Sequence, residues 1–267
     1  MKKLLIIKTG RVIKGIPASM LDFEHWTASA AGLGLDQCHT VAVFEGECLP
    51  DPAQCSGVVI TGSAAMVSDR HEWSENCAQW LLQAISQTVP VLGICYGHQL
   101  LAHALGGVVD YHPRGREMGT KIIHCAPAAQ NDELFQMLPA QFPAHVTHMQ
   151  SVLRLPPGGA EVLAWNSFEA HHAVRFGPRV WGVQFHPEFN ASAMSHYLRI
   201  RSDALQQEGM DMDELQAAVR ETAASEQLLR RFVSLAAGAE PLHQPVYCFS
   251  KEVWAERGLL LPALMRL

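Results

Sequence analysis

The chain lacks several features that would place it quickly. It has no C-x-x-C pair, and its seven cysteines, at 38, 48, 55, 77, 95, 125 and 248, are odd in number. A disulfide framework and a zinc ribbon are therefore not expected. No apolar run approaches the ~20 residues that a bilayer-crossing helix needs. Basic residues are in deficit, Lys plus Arg 20 against Asp plus Glu 26, for a net charge of -6. That balance is against a general nucleic-acid binder, which neutralises phosphates with a basic surplus. Internal repeats and low-complexity tracts are absent. The opening MKKLLIIKTG starts basic, but its apolar run is four residues and ends at Lys8. A secretory signal needs a longer one, so the segment reads as a first strand. These absences lead to an expectation of a cytoplasmic protein that keeps its thiols reduced and meets neither membrane nor nucleic acid.

What is present is a long, well-mixed chain of 267 residues, 48% hydrophobic and 17% charged. Strand candidates at residues 3–8, 39–44, 57–61 and 89–95 alternate with helical patterns at 17–33, 73–85 and 97–105. The run 57–61 is apolar almost throughout, as a parallel strand covered on both faces should be. The expected fold class is therefore α/β, a three-layer, doubly wound, mostly parallel sheet. Further strands are expected at 108–111, 120–125, 144–147, 161–165, 172–176 and 179–185, and a helix from about residue 191. Beyond residue 200 the pattern from 210 to 236 is helical, and Pro241, Pro245 and Pro262 break up the tail. Residues 1–200 are expected to form the main domain and 201–267 a helical C-terminal extension.

Ligands of doubly wound sheets bind beyond the carboxyl ends of the strands. The most informative segment at that edge is Gly93-Ile94-Cys95-Tyr96-Gly97. A buried strand turns there into a helix, with glycines two residues either side of a cysteine, as in a nucleophile elbow. A cysteine at a helix N-terminus is favoured as thiolate. Alone, Cys95 could equally be a buried structural thiol. A nucleophilic thiol needs a base, and the base needs an orienting group. His186 and Glu188 supply both at the end of the strand 179–185, with Pro187 stiffening the turn between them. His171-His172 has no further ligand at a useful spacing, so no metal is expected. His98 and His103 read as packed helix residues.

These strings resemble a known family. Gly93-Ile94-Cys95-Tyr96-Gly97-His98-Gln99 and Gly182-Val183-Gln184-Phe185-His186-Pro187-Glu188 look like the two signatures of class I glutamine amidotransferases, and Ile60-Thr61-Gly62-Ser63 resembles the family's oxyanion-loop strand. The likeness covers about residues 3–200, with the three motifs in the family's order. It implies a flavodoxin-like fold and no cofactor. It implies that Cys95 attacks the side-chain amide carbon of glutamine, that His186 protonates the leaving ammonia and then activates water, and that Glu188 orients His186. Tyr96 and Gly62 or Ser63 would supply oxyanion-hole N–H groups. Gln99 would contact the substrate, with Thr147 and His148 in a loose match to the segment that holds its amino-acid end. Arg116-Glu117-Met118-Gly119 resembles a segment of GMP synthetase glutaminase domains, though it reads equally as a charged loop.

The leading expectation is therefore a stand-alone glutaminase that converts glutamine to glutamate and ammonia through a thioester. No Ser-Gly-Gly phosphate loop comes after residue 200, so an ammonia-accepting synthase would be a separate partner. A γ-glutamyl peptidase would use the same thiol on a different leaving group. A non-catalytic regulatory subunit is the alternative of another class.

Overall fold

A computed structural model gives the structure, which describes residues 2–238. The first half runs β1 (Lys3–Lys8), α1 (Phe23–Ala30), β2 (Cys38–Ala42), β3 (Cys55–Ile60), α2 (Glu72–Ser86), β4 (Val91–Ile94) and α3 (Tyr96–Ala104). The strand-rich stretch comes next, with β5 (Val108–Tyr111), β6 (Glu117–Cys125), β7 (Gln141–His148), β8 (Gln150–Arg154), β9 (Glu161–Trp165), β10 (Ala173–Gly177) and β11 (Val180–Val183). Four helices close it: α4 (Ala191–Ile200), α5 (Ser202–Gln207), α6 (Met212–Ala217) and α7 (Ala223–Ala237).

Nine strands make one sheet in the order β2-β1-β3-β4-β11-β10-β9-β6-β7. From β2 to β11 neighbours are parallel, and from β11 to β7 antiparallel. The parallel half is buried on both faces, which explains its unbroken apolar strands. Alternation divides each strand between two cores. Leu4, Ile6, Val59, Leu92 and Trp181 face one, which α7 closes with Leu228, Leu229 and Phe232. Leu5, Ile7, Val58, Ile60 and Val91 face the other, closed by α2 and α3 through Leu81, Leu82, Leu100 and Leu101. The expected α/β fold, layered with helices on both faces, is what the chain adopts.

Three local expectations change. The helical pattern at 17–33 is broken at Asp22, whose carboxylate caps α1 through Phe23 N (2.8 Å), accepts from Val12 N (2.8 Å) and pairs with Lys8 (2.7 Å). Those bonds need an extended residue there, so only Phe23–Ala30 is α-helical. The pattern at 210–236 is two helices, parted near the β-branched Val219 and Thr222. Residues 150–154 form β8, which was not foreseen and pairs antiparallel with β5 in a separate two-stranded sheet. Helices α5 and α6 bury Leu205 and Leu215 beside Met118, Phe189 and Tyr197. The prolines at 241, 245 and 262, and Cys248, lie outside the described residues. Among the described residues no helix is long and apolar enough to cross a membrane.

Candidate active site

The sheet register builds the site. Ile60 of β3 lies opposite Gly93 of β4, and Val183 of β11 opposite Ile94. Three chain segments therefore leave the same sheet edge side by side: Gly62-Ser63, Cys95, and His186 to Glu188.

Cys95 sits between β4 and α3 at φ 51 and ψ -99. This left-handed conformation costs a non-glycine residue roughly 1–3 kcal/mol. Neither of the glycines beside it has a positive φ. Their role is close approach. A Cβ on Gly93 would stand 2.4 Å from the Gly97 carbonyl, and one on Gly97 would stand 2.6 Å from the Ile60 carbonyl. Cys95 N donates to Val183 O (2.8 Å), and Cys95 O accepts from Gln99 N (3.1 Å), so the strained residue is fixed on both sides. Its Sγ points toward the Thr147 carbonyl at 3.8 Å.

His186 and Glu188 are 2% and 6% exposed. His186 N donates to His145 O (2.8 Å), Nδ1 meets Glu188 Oε1 at 2.8 Å, and Phe189 lies against the ring with centroids 4.2 Å apart. A Cβ on Gly62 would come within 2.9 Å of His186 Cε1 and 3.7 Å of Cys95 Cβ. Only glycine at 62 lets these elements meet. Burial pushes the His186 pKa down, but Glu188 and then Cys95 outweigh it and raise it to about 10. Nε2 is buried with no hydrogen-bond partner. The sulfur is thus near enough to favour the charged ring while its own contact goes to Thr147. Burial, and then the charge of His186, lower the neighbouring His145 to about 4, so that second ring is neutral.

The loop after β3 is anchored by hydroxyls. Thr9 Oγ1 donates to Thr61 O (2.9 Å) and to Gly62 O (3.0 Å), and Ser63 Oγ donates to Thr9 O (2.8 Å). A cavity of about 140 Å³ lies between this loop and the elbow, lined by Ser63, Cys95, Gln99, Thr147, Arg116 and Arg201 among others.

The expected substrate contacts are less free than the sequence suggested. Gln99 Nε2 donates to Gln150 O (2.7 Å) and to Gln184 Oε1 (2.9 Å), leaving its carbonyl oxygen for any ligand. Both ring nitrogens of His148 are engaged, Nδ1 with Gln150 O (3.0 Å) and Nε2 with Glu117 Oε2 (2.9 Å). Tyr96 borders the cavity, but its hydroxyl bonds Ser74 Oγ at 2.6 Å and its ring stacks on Trp73. Arg201, His145 and Phe189 were not anticipated. Each is a single residue without a motif, brought to the site by tertiary packing.

A family model described as glutamine amidotransferase class-I matches residues 38–202. The chain is similar to the GMP synthase [glutamine-hydrolyzing] of Aeropyrum pernix, 37% identical over 143 residues, which cover 54% of this chain and 25% of that protein. It is also similar to the enzyme of that name from Staphylococcus aureus, 43% identical over 101 residues, 38% of this chain and 18% of that one. It thus spans about a quarter or less of the length of these curated relatives. Among solved structures, a glutamine amidotransferase of Thermotoga maritima superposes with TM-score 0.69 at 20% identity, covering 90% of this chain and all of the other. One from Methylobacillus flagellatus gives 0.65 at 21%, covering 92% and 99%. At those identities the likeness speaks to fold alone. With the family model matching more than half of the chain, the protein belongs to the glutamine amidotransferase class-I family.

Proposed function

We propose that Cys95, His186 and Glu188 hydrolyse the γ-amide of a glutamine-like substrate through a thioester. The observation that carries this reading is the open Nε2 of His186 beside Cys95, with Nδ1 tied to Glu188. The Glu188 carboxylate accepts a hydrogen bond from Nδ1–H and fixes the ring, so Nε2 is the nitrogen that exchanges protons. Cys95 gives its thiol proton to Nε2, the sulfur attacks the γ-carbonyl carbon, the C–N bond breaks, and the departing amine takes that proton from Nε2. Water then gives a proton to Nε2 and attacks the thioester; glutamate leaves and the thiol regains its proton. Each tetrahedral intermediate carries an oxyanion. The Tyr96 N–H is the first of α3 and has no acceptor within its own helix. Gly62 O is held by Thr9, so in the trans peptide the Ser63 N–H points the opposite way. Gly62-Ser63 and Tyr96 are our candidates for the oxyanion hole, where one donor is worth ~3 kcal/mol of barrier.

The relatives that hydrolyse glutamine are named GMP synthases. We infer that ammonia released here passes to an acceptor enzyme. We assign catalysis to residues 1–200; of the extension 201–267, Arg201 lines the cavity, and the residues beyond 238 lie outside the described ones. Free Cys38, Cys55 and Cys77 suit a reducing cytoplasm. The test is incubation with glutamine, acid quench and intact mass. A glutamyl adduct on wild-type protein that is absent from Cys95→Ala is expected. Ammonia release that persists in Cys95→Ala would sink the reading.

A further inference from the structure

The cavity beside Cys95 has two cationic lining residues that the triad does not use. Arg116, just before β6, and Arg201, between α4 and α5, both line it. The Arg116 side chain is 8% exposed and pairs with Glu208, Nε to Oε2 at 2.9 Å. Arg201 Nε is buried and has no hydrogen-bond partner. Burial, and then the charge of Arg116, make the Arg201 cation harder to hold. Two guanidinium groups therefore line one cavity, and Glu208 is paired with only one of them, Arg116. A buried charge without its counterion is costly, and the guanidinium fork fits carboxylate geometry. Arg116 is already occupied by Glu208, so the donor left open is Arg201.

We propose that Arg201, backed by Arg116, is the specificity residue that binds a carboxylate of the substrate during γ-glutamyl transfer to Cys95. The proposal rests on the hydrolase reading above and narrows it to substrates carrying a free carboxylate. Two carboxylates offer that chemistry: the α-carboxylate of the glutamyl group, and the carboxylate of a departing amino acid in a γ-glutamyl peptide.

The experiment compares wild type, Arg201→Lys and Arg201→Gln on glutamine, γ-glutamylglycine and γ-glutamylglycinamide. Arg201→Gln is expected to raise KM about tenfold or more, a loss of about 1.4 kcal/mol per factor of ten. kcat should change far less, and Arg201→Lys should recover part of the loss. A rise on all three substrates assigns the α-carboxylate. A rise on γ-glutamylglycine alone assigns the leaving-group carboxylate. Unchanged KM on all three, in a variant that melts like wild type, overturns the proposal. If Arg201→Gln does not fold, wild type decides. Equal kcat/KM on γ-glutamylglycine and its amide, and on glutamine and 4-aminobutyramide, also overturns it. Failure of the hydrolase reading looks different: wild type is then inert on every compound. The proposal is tested in that case by whether glutamate raises the melting temperature of wild type but not of Arg201→Gln.

Discussion

Two buried histidine–glutamate pairs lie a few residues from each other's strands, and they are left with different hydrogen-bonding capacity. His186 meets Glu188 at 2.8 Å, and His148 meets Glu117 at 2.9 Å. All four side chains are nearly closed to solvent. The difference is what remains after the pair is made. His186 keeps Nε2 open beside a thiol, whereas His148 spends its second nitrogen on the Gln150 carbonyl. Glu117 is further held by Asn166 Nδ2 (2.7 Å) and stands 3.2 Å from His172 Nε2. A pair with an unused nitrogen can move protons. A saturated pair can only hold strands β6, β7 and β10 in place behind the cavity.

Substitutions can break this contrast. The largest effect is expected at the sulfur that His186 faces: Cys95→Ala should lower kcat by about 10⁶-fold, measured as ammonia release. Glu188→Gln should lower kcat by ~10³–10⁴-fold, because an amide no longer fixes the ring tautomer. Its melting temperature should fall too, since this change also breaks a buried pair, and a thermal scan checks that it is folded at the assay temperature. Glu117→Gln should cost about 3 kcal/mol in urea unfolding by breaking a buried pair, with kcat within about tenfold of wild type. If it instead abolished turnover in folded protein, the two pairs would not be functionally distinct.

The pairs should also separate by pH. Burial pushes Glu117 up, but hydrogen bonds to His148 and His172 hold it far below the usual carboxylate range. Unfolded Glu117 then binds protons more readily than folded, so its stabilisation is present above pH ~4.5 and fades as pH falls. His186 is raised to about 10, so folded His186 holds its proton more tightly. Its stabilisation is complete below the ordinary histidine range and is lost as pH climbs through about 10. Urea midpoints across pH should lose their acid limb in Glu117→Gln and their alkaline limb in His186→Asn. The smallest effect is expected for Asn166→Ala, about 1 kcal/mol, from one lost donor to Glu117.

Much of this was legible in the chain because it depends on short-range pattern. The apolar runs at 57–61 and 89–95 point to strands buried on both faces, and Gly93-x-Cys95-x-Gly97 marks a tight strand-to-helix turn. The placement of Cys95 near His186 could be anticipated from strand ends alone, since both leave the same edge. What could not be seen depends on pairing partners. Gln99 and His148 carry suitable groups, but only the fold shows that Gln150, Gln184 and Glu117 have claimed them. The strand Gln150–Arg154 depends on β5 for its partner, and its residues carry no strong alternation of their own. Arg201 is one charged residue at a helix junction, and nothing local marks it.

The position of β11 has a consequence for how the molecule comes into being. This four-residue strand lies between β4 and β10, yet it comes after β4 in the chain only once β5 to β10 have been made. Until residues 180–183 have been made and docked, Val91-Leu92-Gly93-Ile94 is an open sheet edge, apolar and ready to pair with another chain. Cys95 is therefore synthesised long before His186, and the sheet closes by a long-range contact that is slow to form. A nascent chain stalled before β11 would hold an idle thiol on a sticky edge. Closing that edge and bringing His186 to Cys95 are one event.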